Sequence, residues 1–309
     1  MENETTAATE EAQLYSTYAL GFAAYFAVGF VLNLIVLLYI LVKRLYRNFI
    51  SSHFIAHLAF TNLVICCTVV PLFLHDLWTA SPYTSGYRMR YVCKFQAQFT
   101  VIVWSVVHYM VLCISGVHLL TFARIHYDQL FGLSPCLLCV LSWIVSAALS
   151  LPLITNQSIV DYDQRYFLCT WRFNADGLRA MTYFAVFGYG IPCVLTLYAY
   201  ARILGILFHS PVVFRALGLY NSRWIVYGIG LIPLYTVPFL ATRTLTSLDG
   251  LYYLFSSFLA QCQILSSPIL YGLSIFLMKE EDMIIAARAQ KTRTATAYAH
   301  PGVVASHQL

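Results

Sequence analysis

Seven stretches without a single Asp, Glu, Lys or Arg dominate this 309-residue chain. They cover residues 12–42, 48–75, 95–123, 129–160, 180–201, 224–242 and 250–278, and the shortest is 19 residues long. An α-helix rises about 1.5 Å per residue, so about 20 apolar residues cross the hydrocarbon of a bilayer. Inside lipid every peptide group must find its partner within the protein, and runs of this length satisfy that as helices. Charged residues make up 10% of the chain, against roughly 25% in soluble domains. The expected fold is therefore all-α, a bundle of seven transmembrane helices at about 15–42, 49–75, 95–123, 133–155, 180–207, 224–242 and 251–278. A soluble enzyme, a nucleic-acid binder and a disordered scaffold are excluded by the same pattern.

The loops give the orientation. With the N-terminus outside, the inner side holds 11 of the 18 basic residues and four acids, and the outer side seven basic residues and nine acids. Basic residues stay on the cytoplasmic side, so the N-terminus (1–14) is expected outside and the tail (291–309) inside. The first 14 residues lack the basic and apolar regions of a cleavable signal peptide. Asn3 and Asn156 each begin an Asn-x-Ser/Thr triplet and fall on the outer side, where glycosylation would find them. Of nine cysteines, only Cys93 and Cys169 are placed toward the oxidising side, and one disulfide between them is the economical reading. The other seven lie inside the spans, Cys136 and Cys139 three apart among them, and read as small core residues; neither a metal nor a cofactor is expected.

Landmarks recur in order along the spans: Gly29 and Asn33 in the first, Leu58-Ala59 and Asn62-Leu63 in the second, Cys93 at the start of the third, and Trp143 and Pro152 in the fourth. Pro192 and Tyr200 follow in the fifth, Pro238 in the sixth, and Ser267-Pro268-Ile269-Leu270-Tyr271 in the seventh. Together they resemble the rhodopsin-like G-protein-coupled receptors, across almost the whole chain. The resemblance implies a multi-pass receptor of the plasma membrane that signals through a heterotrimeric G protein and arrestin.

The departures from that family concentrate at its switch. The Asp-Arg-Tyr motif of the third helix falls on Val117-His118-Leu119. In the family the arginine pairs with the aspartate at rest and reaches toward tyrosines like Tyr200 and Tyr271 when active. This chain has no acid there and no permanent cation, since histidine is not one near neutral pH. The aspartate of the second helix, part of a sodium site in the family, is Asn62, and its serine partner in the third helix is Val107. Ser267 replaces the asparagine before Pro268 and stands as a hydrogen-bond partner for Asn62. The toggle tryptophan of the sixth helix is Thr236, two residues before Pro238, and Pro233 adds a second helix breaker. Two readings stay open: a receptor whose restraints are gone and which is active without ligand, or a non-coupling decoy, scavenger or heteromer partner.

On the ligand side the family's anchors for amines and retinal are replaced by Thr100 and Gln261. A cationic rim of Lys94, Arg172 and Arg243 suits an anionic small molecule, unless those arginines pair with nearby acids. Acid-flanked tyrosine in Asp161-Tyr162-Asp163 suits a basic, chemokine-like peptide. His57 and His108 read as hydrogen-bonded core groups. On the inner side, residues 279–290 place Met283, Ile284 and Ala287 on one face, as a helix lying at the lipid surface would. Thr292, Thr294 and Thr296 alternate in the tail and, phosphorylated, would form an arrestin-type acidic patch.

Enzyme and transporter chemistry lack their residues. Intramembrane aspartyl proteolysis needs two buried aspartates, and no acid lies within the seven stretches. The serine type needs Gly-x-Ser-Gly, and Cys113-Ile114-Ser115-Gly116 misses the first glycine. A channel or transporter would show repeats or paired broken helices, and the sequence has neither.

Overall fold

In a computed structural model of the chain, the residues described are 2–47, 49–79, 87–123, 133–155, 159–163, 168–171, 174–209, 223–242 and 250–275. Seven helices are long and apolar enough to cross a membrane. They are α1 (Glu2–Val42), α2 (Ile50–Thr79), α3 (Tyr87–Ala123), α4 (Pro135–Thr155), α5 (Ala175–His209), α6 (Arg223–Leu231, Ile232–Thr236 and Val237–Thr242) and α7 (Gly250–Gln261, then 263–275). The protein is a multi-pass membrane bundle. Between α4 and α5 the chain forms an antiparallel hairpin, β1 (Val160–Asp163) with β2 (Leu168–Trp171), paired Val160 to Trp171 and Tyr162 to Cys169. This hairpin is unexpected from the sequence; it lies against α3.

Burial ranks the helices. In α3, 67% of the spanning window is buried, against 22% in α1, so α3 is the axis of the bundle and α1 its margin. Ile65, Met110, Ile114, Ile203, Ile229 and Ile264 are fully enclosed between helices. Aliphatic side chains such as Leu38, Val140, Ile144 and Val194 face outward, which in lipid is no cost.

Two glycines permit close helix contact. A Cβ on Gly29 would lie 2.8 Å from Ile264 Cγ2, so α1 meets α7 only where a side chain is missing. At Gly188 a Cβ would come within 2.7 Å of Ser105 Oγ, which sets α5 against α3.

Three helices depart from α geometry. α5 widens to a π-helix over Phe184–Gly190, α6 tightens to a 3₁₀ turn over Ile232–Thr236, and α7 breaks at Cys262. A proline follows or falls within each: Pro192 two residues after the π segment, Pro233 and Pro238 in and just after the 3₁₀ turn, and Pro268 six residues after the break. A proline has no N–H, so it strands a carbonyl in the preceding turn.

Candidate functional site

The stranded carbonyls are taken up by side chains of other helices. Pro268 cannot donate to the Ile264 carbonyl, and the buried Asn33 amide of α1 does so instead at 2.8 Å. In the π register, Pro192 would have donated to the Phe187 carbonyl, which accepts from the Tyr109 hydroxyl of α3 at 2.8 Å. In α6 the Val237 N–H turns to the Leu234 carbonyl, whose ordinary partner is the nitrogen of Pro238. The Pro233 carbonyl thereby loses its α partner, the Val237 N–H, and accepts from the Tyr189 hydroxyl of α5 at 2.8 Å. Neighbours satisfying freed backbone in this way is how bilayer helices tolerate prolines.

Asn33 also begins a buried polar chain. Asn62 Nδ2 donates to Asn33 Oδ1 at 3.0 Å and to Ser267 Oγ at 2.9 Å, and Gln263 Nε2 donates to Asn62 Oδ1 at 3.0 Å. The hydrogen bond expected between Asn62 and Ser267 is present. All four side chains are buried and uncharged. Where the family carries a carboxylate, this chain has a neutral amide with donor and acceptor both occupied.

A second group joins α3, α5 and α6. His108 Nδ1 faces the Trp104 carbonyl at 2.6 Å, which can only accept, so Nδ1 carries the proton. Nε2 of the neutral ring is then an acceptor, and the Thr236 hydroxyl donates to it at 3.4 Å. The Tyr189 ring stands edge-on to His108 at 4.9 Å. Thr236 therefore ties the 3₁₀ turn of α6 to α3 by a hydrogen bond, where the family has a bulky indole. His57, the other histidine read as a core group, accepts from Trp143 Nε1 at 2.7 Å.

Near the far end of α3 from the hairpin, His118 Nδ1 and the Tyr200 hydroxyl of α5 are hydrogen-bonded at 3.3 Å, both side chains buried. The Tyr271 hydroxyl of α7 neighbours that of Tyr200 without a hydrogen bond of good geometry, and His118 Nε2 has no protein partner. Val117 is buried and Leu119 half-buried, both against the core. Three helices thus converge on one imidazole and two phenols.

At the hairpin end a cavity of about 80 Å³ opens between α2, α3, α5, α6, α7 and β2. Its apolar wall is Val69, Phe73, Trp104, Trp171, Phe184 and Phe239. Its polar groups are Gln96, Thr100, Ser257 and Gln261. Trp104 and Phe239 meet edge to face at 5.3 Å, so the cavity wall includes the residue whose carbonyl holds His108.

Of the expected ligand positions, Thr100 and Gln261 line this cavity. Lys94 is half-buried on α3 and is not part of the lining. Cys93 is buried and disulfide-bonded; Cys169 stands on β2 beside α3, and its side chain lies outside the described residues, as does that of Asn3. Asn156, Arg172, Arg243, the 279–290 segment and Thr292, Thr294 and Thr296 also lie outside them. Among the described residues no group of three metal-binding side chains occurs. Sequence reasoning missed Gln263, Tyr109, Tyr189, Gln96 and Ser257. Gln261 and Gln263 are two apart, and in a regular helix would diverge by about 200°; the break at Cys262 turns both inward.

Residues 32–271 match the family model described as 7 transmembrane receptor (rhodopsin family). No curated protein matches the chain at a significant level. Members of this family generally couple to G proteins and arrestins and are generally not enzymes. With the landmark residues, seven spans and a match over most of its length, the chain belongs to the rhodopsin family of seven-transmembrane receptors.

Proposed function

We propose that this receptor sits in the plasma membrane with its N-terminus outside and activates a heterotrimeric G protein without needing a ligand to break a resting lock. The observation that carries this reading is the hydrogen bond between His118 and Tyr200. The family's arginine reaches toward such tyrosines when active, and is held back at rest by the preceding aspartate. With Val117 in the aspartate's place, the residue before His118 carries no charge to oppose the α3–α5 contact. The neutral Asn62 chain supports the same conclusion, because the cation site that favours the family's inactive state has lost its carboxylate.

A ligand then modulates an equilibrium that already favours signalling. The cavity is smaller than the roughly 300 Å³ needed for a drug-sized molecule. It suits a peptide ligand whose bulk rests above the bundle and whose tip enters. Arrestin would read the threonines of the tail once phosphorylated.

The test is basal G-protein activation in membranes carrying wild type or Tyr200→Phe. The variant keeps the ring and removes one hydrogen bond worth about 1 kcal/mol, about a fivefold shift in a two-state population. Basal activation is expected to fall severalfold at equal surface expression. An unchanged basal signal would remove His118 and Tyr200 from the switch.

A further inference from the structure

We infer that the ligand tip entering the cavity is an acceptor oxygen with no hydrogen to donate, a carbonyl or carboxylate on a short apolar stem. This rests on the receptor reading only for the occupant's role as the modulator of signalling; occupancy of the cavity is tested without it. Gln96 of α3 and Gln261 of α7 line the cavity and are more than nine-tenths buried. Gln96 Oε1 and Gln261 Oε1 are sealed in the packing, away from that space. The two amide nitrogens are not sealed, and neither has a hydrogen-bond partner among the described residues. Each glutamine thus turns its NH₂ end, two donors, toward the cavity. The reverse orientation would seal an NH₂ group without an acceptor, and orphaned N–H groups are rarer in folded proteins than under-used oxygens.

The rest of the lining has the same bias. Trp104 and Trp171 carry indole N–H groups, donors only, which are likewise unsealed and without a partner among the described residues. Ser257 Oγ is sealed. Thr100 spends its hydroxyl proton on the Gln96 main-chain carbonyl at 2.7 Å, so its oxygen can only accept. One acceptor thus stands against N–H groups on four residues, and the other described residues of the lining are apolar. Each N–H calls for an acceptor wherever it lies on the wall, because an unmet donor in a closed site is costly. A carbonyl or carboxylate oxygen meets such donors through its lone pairs and brings no hydrogen of its own. An alkylammonium or a primary amide would bring N–H groups for which Thr100 is the lone side-chain acceptor among the described residues. The ammonium would also be an unpaired charge, since no carboxylate is among the described lining. At about 80 Å³ the cavity is about half the roughly 150 Å³ that holds benzene, so the tip is a few heavy atoms.

The experiment is thermal unfolding of the purified full-length receptor in detergent with acetone, acetate, isobutene or isopropylammonium. Acetone and isobutene share one shape and differ by an oxygen for a CH₂. At tenfold excess over Kd an acceptor probe is expected to raise Tm by about 2–4 °C. A shift with acetone assigns the neutral carbonyl, one with acetate the carboxylate, and isobutene and isopropylammonium should do little. Gln96→Leu/Gln261→Leu should abolish the shift. Gln96→Glu/Gln261→Glu keeps the side-chain shape, replaces the donors by acceptors, and should transfer the preference to isopropylammonium. The infrared carbonyl band of bound, carbon-13-labelled acetone should lie lower in wild type than in either variant. Isobutene or isopropylammonium matching the better acceptor probe in wild type would overturn the assignment. So would no shift from acetone or acetate at the highest concentration the fold tolerates, or a shift that both variants leave unchanged. No transducer is present, so failure of this inference and failure of the signalling proposal are read separately.

Discussion

Single residues decide how this receptor differs from its family. Asn62 holds three partners at once, donating to Asn33 and Ser267 and accepting from Gln263. Asn62→Leu strands the Asn33 oxygen and the Gln263 amide in the bundle interior, at about 1–3 kcal/mol for each unsatisfied group. Thermal unfolding should show a clear fall in Tm, larger than for Ser267→Ala, which removes one acceptor only. Thr236→Val is close to isosteric and deletes the hydrogen bond to His108 Nε2. It should cost about 1 kcal/mol in stability and alter basal signalling by loosening α6 from α3. If Thr236→Val leaves both stability and basal signal unchanged, the α3–α6 tie has no role.

At the scale of elements, the three irregular helices share one cause. Prolines remove donors, and in each of these helices a carbonyl that has lost its α partner accepts from a side chain of a neighbouring helix. Tyr109→Phe and Tyr189→Phe should each destabilise by about 1–2 kcal/mol; both keep their rings, the first losing the bond to the Phe187 carbonyl and the second the bond to the Pro233 carbonyl together with the weak one from Cys193 Sγ. Their double variant should be near additive if the two joints are independent, which chemical or thermal unfolding can measure. Gly188→Ala should be worse than either, because its Cβ would lie 2.7 Å from Ser105 Oγ and 2.8 Å from Phe184. Ser105→Gly in the same chain should recover part of the loss, since Phe184 still crowds the site. The prolines and the distorted sixth helix were legible in the sequence, because the missing donor is a property of the residue itself. Their partners were not. Tyr109 and Phe187 are 78 positions apart, and Asn33 and Ile264 are 231, so only the packed bundle brings them together. The hairpin was hidden for another reason: its first residue, Val160, lies in the charge-free stretch that also holds α4.

For the whole molecule, charge spacing carries the fold, and the match over residues 32–271 carries the family. The proposed orientation rests on the basic residues of the loops, and an epitope before Glu2 should be stained on intact cells while one after Leu309 needs permeabilised cells. Reversed staining would invert every assignment of outer and inner surface. The candidate cavity was half legible: Thr100 and Gln261 stood at the family's anchor positions, while Gln96 and Ser257 lacked any motif and emerged only as lining of one cavity. The central claim is that the missing ionic lock leaves the receptor free to signal. Its most direct test is basal G-protein activation across all transducer classes, comparing wild type with Val117→Asp/His118→Arg at matched surface expression. Wild type should exceed receptor-free membranes, and the rebuilt pair should lower that signal. A wild type silent toward every transducer, with coupling gained in the substituted protein, would contradict the claim and identify a decoy disabled at His118.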